Sequence, residues 1–359
     1  MGRKKLERPS VESLFSTVPQ MGFFFKNRIE SEPVTIAVVA RMFALPVQTL
    51  QYWYKNILSD YLPDIESKKW HPQTIQTVDK TTGEITEKPV YVFKKDNIGT
   101  KMSIDDKSIG HDSFTIFSNH DTGKIALMVE STTAAEVEQA MELFGEDLKK
   151  VQNISMDMSS TYSLVADNQM PLATQVIDKF HVMKYVYDAV KEVRGKIRKV
   201  LTASLSKGKK KTEEDKQKLS ELELVRRVRH AITQSPDKWS DETKKNIDIV
   251  FEKYADLKNA YYICQSFKSW YSFQNKAKTS AQITKELYAW YEMASEIKEF
   301  ESVVKMINKH EDEIINFFKL GMSNARAECL NGKIERFVSN NYGIKDKDFI
   351  LYRISGYFS

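Results

Sequence analysis

The chain has 359 residues, is 41% hydrophobic, and carries 54 Lys+Arg against 49 Asp+Glu for a formal charge of +5. That length suits two or three domains with a real core. No run nears the roughly 18 apolar residues of a membrane span, the basic start Met1 to Arg8 lacks the apolar region of a secretory signal, and two cysteines, Cys264 and Cys329, argue against a Cys₄ zinc site or a disulfide framework. Residues 1–65 open with an arm whose amphipathic piece runs from Val11 to Phe25. Two short helices follow, Val34 to Phe43 and Val47 to Lys55, broken at Ala44-Leu45-Pro46. Pro46 suits a helix start because its missing N–H is not needed there. The pair reads as a helix-turn-helix whose second helix would offer Gln48, Thr49, Gln51 and Tyr52 to a DNA groove. A plain helical hairpin is the alternative. Residues 66–98 read as a β-hairpin connector around Gly83.

From residue 99 the pattern predicts strands at about 101–106, 113–119 and 124–130, a helix at 133–149, strands at 152–158 and 173–178, and a helix at 181–200. This order implies an α/β layer fold with a mixed five-stranded sheet and flanking helices over 99–200. Residues 201–320 are helix-like throughout, with apolar residues at three-to-four spacing such as Ile247, Val250, Tyr254 and Leu257. Residues 321–359 would complete the core.

Three carboxylates stand out. Asp105 lies in Met102-Ser103-Ile104-Asp105-Asp106 and Asp157 in Ile154-Ser155-Met156-Asp157-Met158. Both runs alternate with period two, and each aspartate has the parity opposite to the bulky residues. Asp106 is the rival to Asp105 and should face the other way. Glu328 lies on a predicted helix, in a polar stripe of Asn324, Glu328, Asn331 and Glu335 beside an apolar stripe of Ala327, Leu330, Ile334 and Phe337. Such a carboxylate set suits two Mg²⁺ ions about 4 Å apart, which activate water and stabilise the leaving oxygen of a phosphodiester. Mn²⁺ would substitute. The bland alternative is two edge or turn aspartates and an ordinary surface helix. His181 follows the fifth strand with Asp178; it would contact a phosphate or an attacking water, or cap its helix. Lys191, Arg194, Lys196, Arg198 and Lys199, then Lys207, Lys209, Lys210 and Lys211, then Arg226, Arg227 and Arg229 form basic clusters that suit either a DNA backbone path or solvated helix faces. Arg326 and Lys333, flanking the glutamate, are also expected to contact DNA. Trp270 and Trp290 would be core residues or would stack a flipped base.

The blocks Ile104-Asp105-Asp106, Met156-Asp157-Met158 with Tyr162, Asp178 to Lys184, Ser323 to Glu328 with Asn331, Lys333 and Ile334, and Tyr342-Gly343 with Phe349 to Arg353 resemble those of bacterial insertion-sequence transposases of the Asp-Asp-Glu (DDE) type, in the branch with a long helical insertion before the glutamate. The resemblance implies a ribonuclease-H-like fold. It implies metal ligation and catalysis by Asp105, Asp157 and Glu328, with His181 assisting. It further implies DNA partners (terminal inverted repeats and target), a homodimer on DNA, no membrane association, and a place in the cytoplasm on the nucleoid. Two departures are Asp106, where the branch usually has glutamate, and the missing cysteine-rich zinc ribbon. A non-catalytic DNA-binding regulator or inactive transposase derivative, and a ribonuclease-H-like nuclease without strand transfer, are the competing readings.

Overall fold

The computed structural model describes residues 19–31, 34–78, 83–206, 212–341 and 346–359. In chain order the helices and strands begin with α1 (Pro19–Ser31), α2 (Ile36–Met42), α3 (Val47–Trp53) and α4 (Tyr61–Glu66). Then come β1 (Gln73–Val78), β2 (Ile85–Phe93), β3 (Lys101–Ile109), β4 (Asp112–Asn119), β5 (Ile125–Val129) and α5 (Ala134–Glu142). Next are β6 (Asn153–Met156), α6 (Ser160–Gln169), β7 (Thr174–Ile177) and α7 (Lys179–Ala203). Six helices follow: α8 (Glu213–Arg227), α9 (Asp241–Lys253), α10 (Ala255–Trp270), α11 (Ser280–Ser295), α12 (Glu301–Lys309) and α13 (Glu311–Leu320). The chain closes with α14 (Ala325–Asn340) and α15 (Lys347–Phe358). It is an α/β protein with a mixed sheet of seven strands, not five. Two compact units are present: residues 1–152, 164–172 and 325–359, and residues 153–163 and 173–324.

In the first unit β1, β2, β5, β4 and β3 pair antiparallel in that order. The predicted hairpin is thus part of the sheet and not a bare connector: Val90 pairs with Val129, and Phe93 with Leu127. The reason lies in β5. Every residue of Ile125–Val129 is buried, so an unpaired edge there would leave dry backbone N–H and C=O groups. β3 and β4 join through the two residues Gly110-His111, and Gly110 takes the φ of +65° that such tight hairpins favour. Leu330 and Ile334 of α14, with Leu351 and Ile354 of α15, pack on Val92, Phe114, Ile116 and Met128 of the sheet.

The N-terminal helices surround a core of Phe25, Ile36, Val39, Leu50, Trp53 and Tyr54, and Phe349 of α15 belongs to that same core. Thr35 caps α2 through Val38 N–H at 3.2 Å. Pro46 occupies the N-cap of α3, after a turn in which Ala44 has a φ of +51°. A π-helical turn, Tyr54–Leu58, prolongs α3. The buried Arg353 guanidinium bonds Asn341 and lies against the rings of Tyr54 (4.7 Å) and Phe337 (4.9 Å).

In the second unit β6 and β7 pair in parallel, Ser155 opposite Val176. One large core unites Val186 and Val190 of α7 with Leu257, Phe267, Leu287, Trp290, Ile307 and Phe317 of the later helices.

Three local expectations need correction. The helix expected at 133–149 is α5 followed by a 3₁₀ segment, Gly145–Lys150; Gly145, at φ +55°, breaks it. The strand expected at 152–158 stops at Met156, because the Asp157 carboxylate accepts the N–H of Ser159 (2.9 Å) and turns the chain into α6, a helix that periodicity did not reveal. The helix expected from 181 starts at Lys179, capped by Asp178.

Candidate active site

Asp105 lies in mid-β3 and is 8% exposed, while Asp106, which faces the other way, is exposed. A buried carboxylate needs hydrogen-bond donors. Oδ1 of Asp105 accepts the N–H of Asp106 (3.0 Å), and Oδ2 accepts Nδ2 of Asn331 (2.9 Å). The Asn331 amide also donates to the Asp106 carbonyl at 3.3 Å. Farther along the same two elements Lys107 pairs with Glu335 at 3.0 Å and holds that carboxyl below its usual range. So α14 is fastened to β3 by polar contacts from two successive turns. Glu328 is exposed in the first turn of α14, one turn before Asn331 on the same face. A carboxylate there also sits favourably at the positive end of the helix dipole. Asn324 does not extend this stripe. It precedes the helix, is fully buried, and its Oδ1 accepts the hydroxyl of Ser155 at 3.0 Å.

Asp157 is half-buried, one residue past β6. Ser155, two positions earlier, thus fixes the strand end to the segment that leads into α14. The sequence held a signal for these supports: both Asp105 and Asp157 follow a serine by two positions, and Asn331 stood one turn beyond Glu328.

His181 lies in the first turn of α7. The carboxylate of Asp178, 2% exposed, accepts the backbone N–H of His181 (3.3 Å) and lies 3.1 Å from its Nδ1. This contact orients the ring through Nδ1. Trp270 and Trp290 are core residues, 6% and 1% exposed, and their indole N–H groups donate to the carbonyls of Ile283 (3.1 Å) and Ile263 (2.9 Å). Neither can stack a base without unfolding its surroundings.

The expected DNA contacts divide. On α3 Gln48 and Tyr52 are exposed, and Thr49 and Gln51 are half-buried. Lys333 is exposed on α14. Arg326 donates to the carbonyls of His120 (3.0 Å) and Asp121 (2.6 Å), so it anchors the β4–β5 turn. Lys191, Lys196, Arg226 and Arg227 are paired with carboxylates, and Arg194 donates to the Val225 carbonyl at 3.4 Å. Lys209, Lys210 and Lys211 lie outside the described residues.

Residues 102–354, from β3 into α15, match the transposase family of the ISL3 DDE type. The chain belongs to that transposase family. The match spans most of the chain and all three carboxylates of the expected set; the helices before β1 lie outside it. No curated protein and no solved structure matches the transposase. A transposase acts on DNA, and no helix among its described residues is long and apolar enough to cross a membrane.

The donor chemistry of Asp105, Asp157 and Glu328 is all carboxylate oxygen, which fits a hard divalent cation and not a thiolate-loving one. Among the described residues no three His, Cys, Asp or Glu side chains form a ready-made metal cluster.

Proposed function

We propose that this transposase cuts the ends of its insertion element and joins them to target DNA, with Asp105, Asp157 and Glu328 as the ligands of two Mg²⁺ ions. The observation that carries this reading is the 2.9 Å bond from Asn331 to Asp105, which ties the helix of Glu328 to the strand of Asp105. When bound, the ions supply Lewis acidity toward water and toward the leaving oxygen of the phosphodiester. Asn331 fixes the rotamer of Asp105 by holding Oδ2, so the carboxylate is oriented in advance. Asp178 holds His181 Nδ1, so that Nε2 would meet a phosphate oxygen or the attacking water. Lys333 would contact a backbone phosphate. Gln48, Thr49, Gln51 and Tyr52 on α3 would read base edges, the amides by two-point hydrogen bonds. Cutting two ends together would require two active sites and hence a dimer on DNA.

The test is cleavage of DNA carrying the inverted repeats found by sequencing the flanks of the gene. Cleavage is expected with Mg²⁺ and not with EDTA. Asp157→Asn should abolish cutting and keep binding, since it removes negative charge near phosphates without touching cationic contacts. A variant that cuts at the normal rate removes Asp157 from the site. Joined products support transposition; cut DNA that never joins makes the chain a nuclease; binding without cutting under every metal makes it a regulator. Gln48→Ala with Gln51→Ala should weaken binding to element ends more than to random DNA, by about 1–3 kcal/mol for each good base contact. Equal loss on both returns α2 and α3 to a structural hairpin.

A further inference from the structure

Beyond the acidic face of α14 the same helix carries a second polar stripe. Lys333, Arg336 and Asn340 recur at three- and four-residue steps, on a face separate from Glu328, Asn331 and Glu335. These residues line a groove of about 550 Å³ with Phe337, Tyr357, Ile29 and Glu30. Its walls combine charge with aromatic surface. Tyr357 is 47% exposed, and its ring stands 5.1 Å from that of Phe337, which holds it in place. Phe337 is packed in turn against Phe358 (5.7 Å) and the Arg353 guanidinium. Lys333 and Arg336 are exposed. Among the described residues no carboxylate pairs with either, whereas Lys107 pairs with Glu335 on the opposite side of the helix. The one acid in the lining, Glu30, accepts a hydrogen bond from the Tyr54 hydroxyl at 3.0 Å. Two cations that no carboxylate of the described residues pairs with, an amide and an exposed ring around one cavity make a site that suits a nucleotide: cations for the phosphate, ring for the base. The placement along the helix is also apt. At about 1.5 Å per residue, Lys333 and Arg336 stand roughly 7.5 and 12 Å from Glu328 along the axis. That corresponds to about two to four nucleotides of duplex rise.

We propose that the groove framed by Lys333, Arg336, Asn340 and Tyr357 is a subsite for an unpaired nucleotide of the strand that leaves the acidic face of α14, two to four nucleotides from the bond to be cut. The site rests on the transposase reading above and adds Arg336, Asn340 and Tyr357 to it. Charge complementarity selects DNA over a second copy of the chain or an apolar peptide as occupant. A paired nucleotide keeps its base stacked between neighbours, so a lone ring can hold only a base that has left the duplex.

The experiment uses the full chain and two fluorescent probes, a 20-nucleotide oligo(dT) and a blunt 20-base-pair duplex, titrated by anisotropy at two salt concentrations. Lys333→Ala with Arg336→Ala should weaken oligo(dT) binding at least tenfold and lower its salt slope by about 1.4, or roughly 0.7 per phosphate contact on a single strand. Tyr357→Ala should weaken it roughly five- to hundredfold with the slope unchanged, and Tyr357→Trp should restore it. The duplex should respond less to each change. If the Lys333/Arg336 variant melts like the parent and binds oligo(dT) equally well, the subsite is overturned while the transposase reading stands. If Tyr357→Ala changes the oligomeric state in light scattering and leaves oligo(dT) binding intact, the groove holds a second copy instead. If the unaltered chain binds neither probe, the transposase reading fails and the subsite falls with it.

Discussion

The N-terminal helices and the assembly built around the helical insertion close their cores in opposite ways. The insertion shares one core with β7 and α7, drawn from a nearly continuous stretch, Val176 to Met322. The N-terminal core runs from Phe25 to Tyr61 and then takes Phe349 from the last helix. The aromatic cluster around that insertion point is dense: Phe349 meets Tyr61 at 5.0 Å and Tyr54 at 5.8 Å, while Tyr352 meets Tyr61 at 5.1 Å and Trp70 at 5.3 Å. Tyr352 also donates to Asp64 at 2.7 Å, and Lys55 pairs with Asp346. A segment that looks like a detachable module at 1–65 thus depends on the far end of the chain, while the longer insertion closes its core with β7 and α7, the elements just before it. Proximity in sequence is a poor guide to which part folds alone.

The strongest way to break this comparison is to delete residues 346–359. Amide exchange protection of α1 to α4 is expected to vanish, while protection of α10 and α11 persists. If the N-terminal helices stay protected, α15 is not part of their core.

Phe349→Ala is the next test. A buried Phe truncation costs about 3–5 kcal/mol, and the loss should appear first in α1 to α4. Trp290→Ala removes a similar amount from the insertion and should leave the N-terminal helices protected. Loss of protection in the same helices from both variants would erase the distinction.

Asp346→Ala sharpens the contrast at a single cap. Asp346 accepts the N–H of Phe349 at 2.9 Å, and losing a helix cap costs about 1 kcal/mol. Burial alone would raise the Asp346 carboxyl, but Lys55 and the backbone N–H groups outweigh it and leave the folded value below the ordinary 3.8. The sign follows from that depression. The contribution is present above 3.8 and fades as pH falls toward the lower folded value. Thermal melts should show the parent losing stability there more steeply than Asp346→Ala. Parallel acid profiles would mean that the cap does not titrate with folding.

The smallest effect concerns the two thiols. Cys264 is buried in the insertion core, and burial pushes its thiol up to about 12. Cys329 is exposed beside Glu328. A thiol reagent at pH 8 should label one cysteine in the native chain and both after unfolding. Rapid labelling of Cys264 in the native chain would show that the insertion opens readily and is not the tight body described above.

Much of the molecule was legible in the sequence because local rules decided it. Period-two runs marked β3 and β6, and strand parity separated Asp105 from Asp106. Three-to-four spacing marked the apolar faces of α9, α11 and α14. The sequence of blocks along the chain pointed to the family that residues 102–354 match. What it could not decide depended on partners far away. Whether β1 and β2 form a free hairpin or complete a sheet depends on the open edge of β5. Whether Arg326 faces DNA or a turn depends on the carbonyls of His120 and Asp121, some 205 positions earlier. Likewise, only the fold could bring Asn331 to Asp105, across 226 positions, and Phe349 into the N-terminal core. Periodicity tells a residue which face it occupies; only the packed chain tells it what that face meets.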